Sequence, residues 1–323
     1  MPTVKDRILA SLKGLATGDA LGKQTEALSR DGIARWYPQG INGFEGAPGT
    51  VIRRYVGNAK HEWRVGETTD DTERTIAVAR AILHDGAVRH ASVGREMLTC
   101  TKCVHPGDKS LWEFPQAGDA TRVTQDHDGC GAAVRVAPVG ILYTSRRLAA
   151  IVAGAREASI STHGGPLALA AAASTAAAIS AAIDGAGADD IIELAQRAAA
   201  QAECARTGST DSVFARAIGN IHGDLRQSPA LHAADVAAKH FPNDPLTIVP
   251  LAIALASVMP SAHSAILLAA NVGGDSDSVA SIAGAILGAR YPDTVNGEWF
   301  GIVEVVNCHD LMSLGEELNA LRS

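Results

Sequence analysis

Between Ala168 and Ala182 every residue is alanine except Leu169, Ser174, Thr175, Ile179 and Ser180. Alanine is the strongest helix former and carries almost no bulk, so a segment of this kind joins a core as a helix that its neighbours approach to backbone distance. The low-charge stretch 164–183 has roughly membrane-spanning length, but its alanines and interior hydroxyls read as a buried helix. The same economy runs through the chain, where 46% of residues are hydrophobic and only 4% aromatic. Val4, Ile8, Leu12 and Leu15 recur at helical spacing, as do Ile76, Ala79, Ile82 and Leu83 after an acidic start. Further helices are predicted at about 131–143, 147–158, 164–183, 188–206, 210–221, 230–240, 245–258, 261–270, 277–289 and 309–321. Strand-like alternation is nearly absent. The expected fold class is therefore all-α, and with no repeat or linker the expected organisation is one domain over residues 1–323, long enough to bury a core without disulfide or metal staples.

Charge and cysteine usage exclude several functions. The chain has 28 Lys+Arg against 35 Asp+Glu, a net charge of −7. That balance gives no basic excess for a nucleic-acid or anionic-membrane surface. The N-terminal segment carries Lys5, Asp6, Arg7 and Lys13 within its apolar spacing, unlike a secretory signal, so a cytoplasmic protein is expected. Five cysteines, Cys100, Cys103, Cys130, Cys204 and Cys308, are read as reduced thiols. Cys100-Thr-Lys-Cys103 lacks the second pair of ligands that a zinc finger needs.

Two stretches, 27–68 and 101–129, are irregular and rich in Gly, Pro and aromatics. Trp36, Tyr37, Phe44, Tyr55, Trp63, Trp112 and Phe114 all lie there, seven of the 13 aromatics. Loops of this length in a helical domain commonly shape a binding site, and Trp36, Tyr37, Trp112 and Phe114 are candidates for stacking on a base or ribose.

Three acidic clusters stand at helix boundaries: Gly18-Asp19-Ala20-Leu21-Gly22 with Glu26, Thr68-Thr69-Asp70-Asp71-Thr72, and Gly273-Gly274-Asp275-Ser276-Asp277-Ser278. Neighbouring carboxylates repel one another and are tolerated at helix N-termini or around a cation. Each cluster alone could be a capped helical turn. Together they offer Asp, Glu, Thr and Ser oxygens without a thiolate or imidazole, a donor set for Mg²⁺, Mn²⁺ or Ca²⁺ rather than zinc.

These motifs, in this order along almost the whole chain and joined by Gly129-Cys130-Gly131-Ala132-Ala133-Val134-Arg135, Thr162-His163 and Gly284-Ala285-Ile286-Leu287-Gly288-Ala289, resemble the ADP-ribosylglycohydrolase family of the dinitrogenase-reductase-activating type. The resemblance implies an orthogonal helical bundle around a central cleft that holds two divalent cations, Mg²⁺ or Mn²⁺, and the two long loops are expected to lie over that cleft. It implies Thr69, Asp70, Asp71 and Asp277 as ligands of one ion and Asp275, Asp277 and Ser278 as ligands of the other. It makes Glu26 a mobile acid, places Asp19 behind the centre on the substrate side, and puts Gly129, Cys130, Gly131 and His163 along the substrate. The implied reaction is attack of an ion-polarised water on an anomeric carbon, with Glu26, Asp70 or Asp71 taking the proton. The expected substrate is an ADP-ribosylated protein or small molecule.

Two departures fall on the substrate side: the loops at 27–68 and 101–129 match nothing in the family's well-known members, and the family's Gly-Asn-Gly reads Gly129-Cys130-Gly131 here, replacing an amide by a weakly polar thiol. The same chemistry on a smaller, nucleoside-like riboside therefore stays open, as does a non-catalytic relative such as a lens crystallin, against which the complete carboxylate set argues. No sequence feature fixes the oligomeric state.

Overall fold

The first helix, α1 (Val4–Gly22), begins with a capping box: Thr3 Oγ1 accepts from Asp6 N at 3.1 Å, and the Asp6 carboxylate accepts from Thr3 N at 2.8 Å. The structure is a computed structural model that describes residues 2–56, 59–102, 123–228 and 230–323. Fifteen α-helices lie among those residues. After α1 come α2 (Arg30–Trp36), α3 (Asp70–Asp85), α4 (His90–Met97), α5 (Ala137–Leu142), α6 (Leu148–Ser159) and α7 (Pro166–Ile183). The rest are α8 (Ala188–Thr207), α9 (Val213–Gln227), α10 (Ala233–His240), α11 (Pro245–Val258), α12 (Ala262–Ala270), α13 (Ser276–Arg290), α14 (Gly297–Asn307) and α15 (Leu311–Leu321). The all-α class is as the periodicity predicts.

Two helices form the spine. Along α1, Gly14, Gly18 and Gly22 recur every fourth residue and face Gly284, Ala280 and Asp277 of α13. A β-carbon on Gly14 or Gly18 would lie 2.1 Å from the carbonyl oxygen of Gly284 or Ala280, so the two backbones touch with no side chain between them. The alanine helix α7 is long and apolar enough to cross a membrane by composition, and here 89% of it is buried.

The structure corrects three local readings. Stretch 27–68 is not wholly irregular: it holds α2, capped by Ser29 Oγ on Gly32 N, and an antiparallel hairpin of β1 (Val51–Val56) and β2 (Ala59–Arg64) with Val51 opposite Arg64. The continuous helix expected at 131–143 is broken into a 3₁₀ turn, Cys130–Ala132, and α5, whose Pro138 occupies the first turn where no backbone N–H is needed. Helix α14 is not predicted by the periodicity, since Ile302, Val303, Val305 and Val306 favour strands; Asn296 caps it by accepting from Trp299 N. Residues 103–122, with Cys103, Trp112 and Phe114, lie outside the described residues.

Candidate active site

The acidic clusters converge because each sits at a helix end that another helix holds. Asp19 is fully buried on α1, and its carboxylate accepts from Thr69 N (3.0 Å), Thr72 N (3.1 Å) and Thr72 Oγ1. It thus joins Thr69, the N-cap residue, in capping α3, from 50 residues away. Thr69 Oγ1 accepts from Asp71 N at 3.1 Å, and Asp70 pairs with Arg74 one turn on, at 3.4 Å. Asp71 Oδ2 in turn accepts from Ser278 Oγ at 3.1 Å, which joins α3 to the start of α13.

The loop before α13 requires its two glycines. Gly273 and Gly274 have φ of 87° and 63°, and a β-carbon on Gly274 would stand 2.3 Å from Pro242 O. The turn is fastened by Ala27 N to Gly274 O (2.8 Å), Gly274 N to Leu28 O (2.9 Å) and Asp275 N to Pro242 O (2.9 Å). It therefore sets Asp275 beside the segment that carries Glu26. Glu26 is ion-paired with Lys23, while its carbonyl accepts from Arg54 Nη2 at 2.9 Å. Arg54, on β1, also donates to Gln24 O and lies 5.0 Å over the Trp63 ring, so the hairpin braces this segment.

Residues 123–129 are stitched to the start of α7 by Thr124 N to Ile160 O and Gly164 N to Asp126 O, both 2.8 Å. Asp128 Oδ1 accepts from Leu167 N at 2.8 Å and caps α7. These bonds bring Gly129, Cys130 and Gly131 against His163, whose ring lies 4.4 Å from that of His127 at a 50° tilt.

Between these elements lies a cavity of about 520 Å³, lined by Glu26, Asp70, Asp71, Asp275, Asp277, Ser278, Gly129, Cys130, Gly131 and His163, together with Ala27, Arg74, His127 and Gly274. Ten of the sequence-derived site residues are therefore brought together. Asp19 and Thr69 are not among the lining residues and act from behind as caps. Trp36 and Tyr37 do not reach the cavity: with Trp63 and Arg54 they line a separate cleft of about 180 Å³. Arg74 and His127 escaped sequence reading, because Arg74 follows Glu73 like any salt-bridging helix residue and His127 lies in an aperiodic stretch.

The electrostatics are those of a crowded anion set. Burial first, then the charges of Asp19, Asp70 and Asp275, push the Asp71 carboxyl well above its ordinary 3.8. Burial followed by Glu26, Asp275 and Asp71 does the same to Asp277. Burial raises Asp19, against the bonds from Thr72 and Thr69. Burial, then Asp275, pushes the Cys130 thiol far above 9.0; it is an un-ionised donor, 3.0 Å from Asp275 Oδ2. Among the described residues no three His, Cys, Asp or Glu side chains already stand grouped as a metal site. The donor chemistry nonetheless fits a hard cation: carboxylates and hydroxyls gather on one cavity, two carboxyls resist carrying charge without a counter-ion, and Asp277 Oδ1 is buried with no hydrogen-bond partner.

The capping role of Asp19 has a measurable consequence. Asp19→Ala strands two backbone N–H groups and a hydroxyl and is expected to cost about 2–4 kcal/mol, against about 1 kcal/mol for Asp19→Asn, which keeps one acceptor. Urea unfolding of the two variants checks the ranking, and equal costs would contradict the cap.

The chain matches the ADP-ribosylglycohydrolase family model over residues 1–323. It is 26% identical to the ADP-ribosylarginine hydrolase Tri1 of Pseudomonas putida over 340 residues, spanning 97% of this chain and 78% of that one. It is 30% identical to the ADP-ribosyl-[dinitrogen reductase] glycohydrolase of Rhodospirillum rubrum over 146 residues, 43% of this chain and 46% of that protein. Its fold superposes on a solved ADP-ribosylglycohydrolase-related protein complex with a TM-score of 0.76, at 22% identity and with both chains fully covered. On the match along its whole length, this chain belongs to the ADP-ribosylglycohydrolase family of glycosidic-bond hydrolases.

Proposed function

We propose that this protein is a divalent-metal-dependent hydrolase that releases ADP-ribose from a modified protein or small molecule. The observation that carries the reading is the gathering of Asp70, Asp71, Asp275 and Asp277 on one cavity with Asp277 Oδ1 buried and unpaired. Asp70, Asp71 and Asp277 would hold one ion and Asp275, Asp277 and Ser278 a second, Asp277 being shared, while Thr69, which does not line the cavity, keeps its place as the cap of α3. Bound there, Mg²⁺ or Mn²⁺ would supply the Lewis acidity that polarises a water and the ribose hydroxyls.

The protein's own groups do the rest. A water oxygen bonds to the anomeric carbon, the bond to the leaving nitrogen or oxygen breaks, the water's proton passes to a carboxylate, and the leaving group regains one. Glu26 suits the proton-accepting role: its side chain is one-third exposed on the cavity rim, and Arg54 fixes its backbone. Arg74 and the close-approach backbone of Gly129 and Gly131 provide the side of the cavity that receives an anionic diphosphate, which the net −7 surface does not. The Cys130 hydrogen is directed to Asp275, so Cys130 does not replace the family's asparagine as a donor to ribose.

The test is a panel of arginine- and serine-linked ADP-ribosyl peptides and free nucleosides, assayed with Mg²⁺ or Mn²⁺ and with chelator. Metal-dependent release of ADP-ribose is expected. Release of base from nucleosides with none from ADP-ribosyl substrates would replace this reading by the smaller riboside one, and turnover of neither would favour a non-catalytic relative.

A further inference from the structure

Two turns that meet at the cavity, 129–131 and 159–163, are held together by one side chain. Arg135 is fully buried and donates from Nη1 to Gly131 O (3.1 Å), from Nε to Ala158 O (3.1 Å), and from Nη2 to Ser159 O (3.2 Å) and Thr162 Oγ1 (2.7 Å). A guanidinium only donates, so Thr162 Oγ1 is the acceptor in the last of these bonds. The Thr162 hydroxyl has one hydrogen to give and two acceptors in reach, His163 Nδ1 at 2.6 Å and Ser159 O at 3.4 Å. Ser159 O already receives Thr162 N (3.0 Å), His163 N (2.8 Å) and Arg135 Nη2, which exceeds its two lone pairs. The short contact therefore takes the hydrogen, and His163 Nδ1 accepts it.

We infer that Arg135 and Thr162 form a relay that locks His163 in the tautomer with its hydrogen on Nε2, making the imidazole a neutral donor to an acceptor oxygen of the substrate. The Nε2 edge faces the glycine turn: a β-carbon on Gly129 would come within 3.0 Å of Nε2 and one on Gly131 within 3.2 Å. Glycine at both positions thus leaves the space beside this edge to the cavity. The tilted His127 ring packed 4.4 Å away limits how far the imidazole can turn. Arg135 and Thr162 are positioning residues, acting through His163. The identity of the acceptor, an ADP-ribosyl oxygen, rests on the function proposed above; the tautomer does not.

The relay is read directly from long-range ¹H–¹⁵N correlation spectra of the imidazoles, with His163 assigned by its loss in His163→Gln. The wild-type protein is expected to show an unprotonated Nδ1 and a protonated Nε2. Thr162→Val, which keeps the shape and removes the hydroxyl, is expected to abolish that single-tautomer pattern, and Thr162→Ser to restore it. A protonated Nδ1 in the wild-type protein, or an unchanged His163 pattern in Thr162→Val, overturns the relay, and the wild-type spectrum decides even if the valine variant fails to fold. In catalysis Thr162→Val is expected to raise KM for an ADP-ribosyl peptide about tenfold, the size of one hydrogen bond, with kcat changed less. Weaker inhibition by both ADP and ADP-ribose would put the oxygen on the ADP half, and weaker inhibition by ADP-ribose alone would put it on the distal ribose. If the tautomer is lost while inhibition by both stays unchanged, the substrate contact is wrong. If the wild-type protein shows the expected tautomer but releases no ADP-ribose, the function falls and the relay stands.

Discussion

Asp277→Asn is expected to lower hydrolysis on the order of 10³-fold under the metal-dependent mechanism proposed above, because the Lewis acidity of the ions that Asp277 would hold is worth several kcal/mol and each 1.4 kcal/mol is a factor of ten. The same variant should make the metal-free protein more stable near neutral pH. Asp277 and Asp71 have folded-state values well above the ordinary 3.8, raised by burial and then by neighbouring carboxylates, Asp19, Asp70 and Asp275 around Asp71 and Glu26, Asp275 and Asp71 around Asp277. The unfolded chain therefore releases these protons at lower pH than the folded one. Metal-free stability is greatest below about pH 4 as far as these groups are concerned, and falls as pH rises from there toward the raised folded values, by about 1.4 kcal/mol for each unit of difference. Removing one of the two charges flattens that slope. Melting temperatures measured in chelator from pH 4 to 8 should fall less steeply for Asp277→Asn, and Mg²⁺ or Mn²⁺ should stabilise the wild-type protein far more than the variant. Equal metal stabilisation of both would show that the cluster does not bind the ion.

Gly18→Ala is expected to destabilise the fold by about 1–3 kcal/mol, a lowering of the melting temperature by roughly 2–6 °C. Helix propensity alone points the other way, since alanine in place of an interior glycine favours a helix by about 1 kcal/mol. Sterics win at this position because the added β-carbon would stand 2.1 Å from Ala280 O and 2.8 Å from Ser281 N, both backbone atoms of α13 that cannot rotate aside. The helices must separate, and the strain reaches the site through Asp19, the next residue on α1, and Asp277, one turn before Ser281. Activity should therefore drop along with stability. Gly301→Ala on α14 is the matched comparison: nothing lies within 4 Å of its added β-carbon, so a gain of about 0.5–1 kcal/mol is expected. Similar effects at both positions would mean that the crossing of α1 and α13 is not held by backbone contact.

Much of this molecule is local and therefore legible in the chain. Alanine-rich segments with a period near 3.6 specify helices because the periodicity reports which face each segment buries, and the acidic motifs at Thr69-Asp70-Asp71 and Asp275-Ser276-Asp277 start helices as their composition implies. Those local rules alone place Asp70, Asp71, Asp275, Asp277 and Ser278 at helix N-termini. What spacing does not encode is partnership across the chain. That Asp19 caps α3 across 50 residues, that Ser278 meets Asp71 across 207, that the Cys130 thiol points at Asp275, and that Arg74 and His127 complete the cavity are tertiary outcomes. So is the withdrawal of Trp36 and Tyr37 into a separate cleft beneath the hairpin. Helices and the chemistry at their ends follow from the order of residues alone, because caps and periodicity act within a few residues. Only the fold decided which ends meet, because backbone contact at Gly14, Gly18 and Gly22 and hydrogen bonds between distant turns leave no repeating mark on the order of residues.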